Sequence, residues 1–244
     1  MSQTHCSPAS RRRTTGSRAH WSWLSGYRIS RVELIPKGVV VGLFAATPPG
    51  APDRDRLNRV WSELSSRQDY RQFTVTGDGA QLLGATPDDA LVIQPPLVQV
   101  RSSARLGAQN AADEAQVAVK TVARHMGWAQ FFNLGIKHVY HFAAPGNDAH
   151  AFLLQRLLRL EPESHANLER GGAFWAGLKY GATASDNSAY TVSIEPFLAD
   201  NQFVFVDLDA QYAGPVDPDR IMEKAGEVSD YAIHSLRPYL EAAS

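Results

Sequence analysis

Residues 203–209 read Phe-Val-Phe-Val-Asp-Leu-Asp, and this run constrains the fold more than any other in the chain. β-branched and aromatic side chains favour a pleated, half-buried surface, so the run is expected to be a strand. The longer stretch Thr191–Tyr212 reads as a β-hairpin with this strand as its second arm. Much of the remaining sequence reads as sheet beside this arm or as helices covering it.

Several further segments alternate or run apolar in the same way. Val32–Ala46 holds two apolar arms around Pro36-Lys37-Gly38, a turn signal. Phe73–Gly84, Ala90–Ser102, Phe131–Ala144 and Phe174–Ala182 read as strands. Gly77-Asp78-Gly79 reads as a turn or bulge, and Pro95-Pro96 is expected at an edge or a kink. Helical spacing appears four times. Asp53 stands as an N-cap before Leu57, Val60, Trp61 and Leu64. A second helix is predicted over Ala111–Met126 with Gly127 as its stop, and a third over Ala149–Leu160. The last runs from about Asp219 to Leu236, with Pro238 marking its end. The sum is an α+β protein: an antiparallel or mixed sheet in two related halves, with about four helices packed on it.

The halves are divided at Pro145-Gly146-Asn147-Asp148, a turn-forming cluster. Residues 1–27 are rich in Ser, Thr and Arg and are expected to be a disordered basic tail. Residues 28–146 form a first α+β half and 147–244 a second, the two together making one compact domain or two. A duplication is expected from a repeated order of features: strand, turn, strand, capped helix. It occurs at Val32–Leu57 and again at Val192–Ile221, with the string Asp-Arg-(Leu/Ile) at Asp55–Leu57 and at Asp219–Ile221. The bland alternative is that hairpins followed by helices look alike for local reasons.

Charge is near zero for the whole chain, at −1, but unevenly spread. Residues 1–32 hold six arginines and no acid, and subtracting this +6 leaves −7 for residues 33–244. A body of that sign argues against nucleic acid as a partner, except through the Arg-rich tail. Arg-rich and acid-free is also how an organelle transit peptide reads, but a flexible tail or a start codon placed too far upstream is the favoured reading. The single cysteine, Cys6, allows no internal disulfide and no cysteine-based zinc site, which fits a reducing, cytoplasmic location. No run of 18 apolar residues is present, so no membrane span is expected.

Polar residues on predicted strands are the only candidates for chemistry. Asp207 and Asp209, at i and i+2, point to one face, where they could hold a divalent cation or share a proton. The bland reading is a strand tip emerging into solvent. His138 and His141 fall on opposite faces of their strand, so only one of them can meet a given ligand. These four are the catalytic candidates, and the two aspartates are also the metal candidates. Gly77-Asp78-Gly79 fails the dinucleotide pattern and no P-loop is present, so no cofactor-binding residues are assigned and the cofactor stays open. The expected function is a non-enzymatic binding or assembly module, with a protein partner or a second copy meeting a sheet edge or an aromatic face. The alternative is a small-molecule or metal-dependent enzyme with a carboxylate/histidine site.

Overall fold

A computed structural model describes residues 32–46, 52–105, 107–161 and 175–244. The basic tail lies outside these residues, as does nearly all of Glu161–Gly172, a polar stretch that reads as a loop. Residues 31–244 cluster as one compact unit.

Strand follows helix in the order β1 (Ile35–Ala45), α1 (Arg54–Ser65), β2 (Gln72–Val75), β3 (Ala80–Leu83), β4 (Ala90–Gln94), β5 (Leu97–Ser102) and α2 (Ala108–Met126). Next come β6 (Phe131–Ala143), α3 (Ala149–Ala151) running into a π-helical turn (Phe152–Leu157), and β7 (Leu178–Thr183). The chain closes with β8 (Ala189–Pro196), β9 (Phe203–Val216), α4 (Ile221–Tyr231), a π-helical stretch (Ala232–Leu236) and α5 (Arg237–Ala243). All the strands form one antiparallel sheet in the order β2-β3-β4-β5-β1-β6-β9-β8-β7. The class is α+β, with four helical regions among the described residues.

The helices cover one face only. Along β6, Leu134, Ile136, His138, Tyr140 and Phe142 are buried, while Asn133, Gly135, Lys137, Val139 and His141 between them are half-exposed. The same alternation runs through β1, β8 and β9. It is the signature of an antiparallel sheet with one packed and one solvated face. Phe142 meets Phe152 of the π-helical turn edge-on, with centroids 5.8 Å apart. Asp53 and Asp148 cap their helices as the sequence predicts, each carboxylate accepting backbone N–H bonds in the first turn. α2 is alanine-rich where it is buried, which lets it lie close to both the sheet and α4. Met222 N–H donates to Gln116 Oε1 across that helix pair.

Three local expectations are corrected. Pro36-Lys37-Gly38 is a bulge inside one strand rather than a turn between two, because β1 stays paired to β6 on both sides of it. The hairpin-plus-helix unit read at Val32–Leu57 therefore does not match the true hairpin of β8 and β9. Pro95-Pro96, joined by a cis bond, forms the turn between β4 and β5. Pro238 does not end the last helix. It sits in the first turn of α5, after the π-helical stretch, where the missing N–H and the ring are accommodated.

Candidate functional site: the open sheet face

The centre of the open face is built by register. β1, β6 and β9 are the three long central strands, and their pairing lays side chains out in rows. One row runs Thr191, Asp209, Lys137, Val40, Arg101 from β8 to β5. The next runs Gln211, Gly135, Gly42, Gln99. Adjacent glycines on the two middle strands leave the face low at this point, where another molecule's atoms can approach the backbone. A Cβ on Gly42 would stand 3.7 Å from Leu97 Cδ1, whereas one on Gly135 would meet the Gln211 amide at 2.9 Å.

Asp207 and Asp209 do share this face, as the i, i+2 spacing requires. Lys137 reaches across from β6 and donates to Asp207 Oδ2 at 2.7 Å. Gln211 donates to Asp209 Oδ1 at 2.7 Å. The ammonium thus stands at the Asp207 carboxylate, where a cation would be drawn, and no group of three or more metal-ligating side chains occurs among the described residues. Three polar atoms of this face, Asp207 Oδ1, Asn133 Oδ1 and Arg101 Nε, are buried without a hydrogen-bond partner among the described residues.

The two histidines part company. His141 lies on the open face, its ring 4.3 Å from that of Phe197 and 5.9 Å from that of Phe205. Partial burial, helped by the Lys37 charge, holds its pKa below the usual value. His138 lies under the helices, 1% exposed, its Nδ1 3.0 Å from the Tyr140 hydroxyl and its Nε2 without a partner. Burial holds its pKa down at about 4, so it is neutral at pH 7. The structure therefore brings Asp207, Asp209 and His141 to one side and puts His138 on the other. Lys137, which the sequence reading passed over, is the residue that pairs with Asp207. Its signal was its place in the alternation: it sits on the His141 face of β6.

Two clefts lie elsewhere, at the ends of strands. The first, of about 350 Å³, is bordered by Tyr70, Asp89, Ser102, Arg105 and Glu114. Asp89 is occupied structurally there, accepting from Ser103 N–H, Thr86 Oγ1 and Arg105. Desolvation and the Asp89 charge push the Glu114 carboxyl up. A second cleft, of about 270 Å³, lies beside the end of β9, with Asp186, Ser188 and Lys224 in its wall. Comparison of the chain with protein-family models and with curated proteins finds no match. No helix among the described residues is long and apolar enough to cross a membrane.

Proposed function

We propose that this protein is a non-enzymatic assembly module that pairs with a second copy of itself through the open face of its sheet. The observation that carries the reading is a sheet face that no described helix covers, with Phe44, Leu97, Phe203 and Phe205 half-exposed on it. Its size suits the role. At about 4.8 Å per strand, nine strands span roughly 40 Å, and β6 alone is of similar length at about 3.3 Å per residue. A specific interface needs about 800 Å² on each partner, well within such a face. Its composition suits a twofold contact, in which each patch meets itself. Lys137 and Arg101 lie among Asp207 and Asp209, so cation and carboxylate can exchange across the axis. Apolar groups flank them, with Phe44 and Leu97 at one end and Phe203 and Phe205 at the other.

The same reading takes the scaffold to be an internal duplication, with units other than those first read from the sequence. Each half runs strand, helix, antiparallel meander, helix, and the meander's last strand lies beside its first strand. The buried positions Ala111, Ala115, Ala118, Val122 and Met126 of the first half correspond to Ile221, Ala225, Val228, Ala232 and Leu236, each pair 110 residues apart. In the register of the central row, Gln99 stands beside Gly42 as Gln211 stands beside Gly135.

Sedimentation equilibrium of the wild type and of Gly42→Lys tests the assembly. A Cβ at Gly42 has room, so the variant is expected to fold and to become monomeric while the wild type is a dimer. A wild type that stays monomeric up to high micromolar concentration ends this reading. A second reading, a small-molecule or metal-dependent site, has one observation in its favour: Asp207, Asp209 and His141 share a face. Divalent-ion titration by calorimetry, with Asp207→Asn as control, decides it; heat that the variant abolishes would favour it.

A further inference from the structure

The two edges of the sheet are protected differently. β2 is four residues long, and Phe73 on it is stacked under Trp61 of α1 at 5.5 Å and 9°. A strand this short offers few N–H and C=O groups to a further strand. β7 is six residues long, pairs only with β8 among the described residues, and keeps an unbroken register from Leu178↔Ile194 to Thr183↔Ala189. It has no proline and no bulge. Lys179 is its one charge, Gly181 and Ala182 are small and exposed, and no described residue pairs with its outer N–H and C=O groups.

Beside this edge, on the helix side, lies a cleft of about 450 Å³. Its floor is the stacked pair Tyr190 and Tyr231, with centroids 4.8 Å apart. Its rim carries the carboxylates of Glu227 and Asp230. Glu227 is held by Lys224 at 2.7 Å, whereas Asp230 has no ion pair among the described residues. A strand added to β7 would send alternate side chains over the helix side and into this cleft. The side chain that fits a tyrosine floor and a carboxylate rim is arginine, whose planar cation stacks on aromatic rings and pairs with carboxylates.

We propose that β7 and this cleft form a binding site for an extended segment of a partner protein with arginine at alternate positions. The segment adds as a tenth strand, and its arginines lie over Tyr231 against Asp230 and Glu227. The site is separate from the open face, so it can work whether or not the chain dimerises there.

The test is fluorescence anisotropy with a short labelled peptide alternating valine and arginine, and a second alternating valine and glutamate. The wild type is expected to bind the arginine peptide and not the glutamate one. Asp230→Asn combined with Glu227→Gln is expected to weaken binding about tenfold. Gly181→Pro and Ala182→Pro supply the control on the edge. Of two successive residues in a strand, one N–H points to β8 and the other outward. The variant that loses the outward N–H is expected to melt like the wild type and lose the peptide. Gly42→Lys is expected to bind the peptide unchanged. No binding by the wild type, equal binding of the glutamate peptide, or full binding by the charge variant overturns the proposal. So does a wild-type dimer that the edge proline abolishes, because the occupant would then be a second copy.

Discussion

Two faces of one strand, β6, show how differently this chain treats the same residue types. On the helix side His138 is sealed between strands and helices, kept neutral by burial and tied only to Tyr140. Three residues on, His141 rests among phenylalanines on a surface that no described helix covers. The covered face is fixed by packing, and its polar groups are few: His138 bonds to Tyr140, and the Tyr190 and Tyr212 hydroxyls meet at 3.2 Å. The open face is held by an ion pair, amides and glycines, and it leaves three polar atoms unsatisfied. A sheet of this size would need only one packed face to be stable, so the character of the other is free for use in recognition.

The comparison breaks if substitutions on the two faces cost alike. The largest effect is expected from Phe152→Ala, which removes a ring that is 2% exposed and packed on Phe142. Urea unfolding should show a loss of about 3–5 kcal/mol. Acid comes next. The unfolded chain takes a proton on His138 near its ordinary pKa of 6.5, whereas the folded chain resists until about 4. Stability is therefore lost as pH falls between those values, by about 3 kcal/mol at the acid end. The gap between wild type and His138→Leu, followed from pH 7.5 to 4, should move by that amount in favour of the variant; a constant gap would mean that His138 is not sealed.

On the open face the costs are smaller. Lys137→Met leaves Asp207 without its one partner, yet both side chains reach water, so about 1 kcal/mol is expected. The double variant with Asp207→Leu should recover most of it, read as the coupling energy of a double-mutant cycle. Gly42→Lys should change monomer stability by less than about 0.5 kcal/mol, because nothing is displaced there. Its effect is expected in association alone, which makes it the sharpest separation of the two faces.

Much of this fold could be read from local pattern. Asp53 and Asp148 announce their helices because a short carboxylate answers N–H groups two and three residues ahead. Asp207 and Asp209 were correctly placed on one face, since alternation has a period of two wherever a strand lies. Lys137 was missed as a partner because it is 70 residues away in sequence. Pro36-Lys37-Gly38 reads as a turn but is a bulge in β1, because the two begin with the same Pro-x-Gly signal. Only the neighbouring strand tells them apart.

The sequence by itself determined the class, the places of the helices, the Asp53 and Asp148 caps, and which side chains share a face of each strand. Those properties depend on residues a few positions apart, so they are written locally. The tertiary structure alone decided the strand order, the meeting of Lys137 with Asp207, the lonely burial of His138 and the exposure of β7 at the end of the sheet. Each is a relation between distant segments. Local propensity carries no record of it, because the energy that selects it comes from packing the whole sheet against its helices.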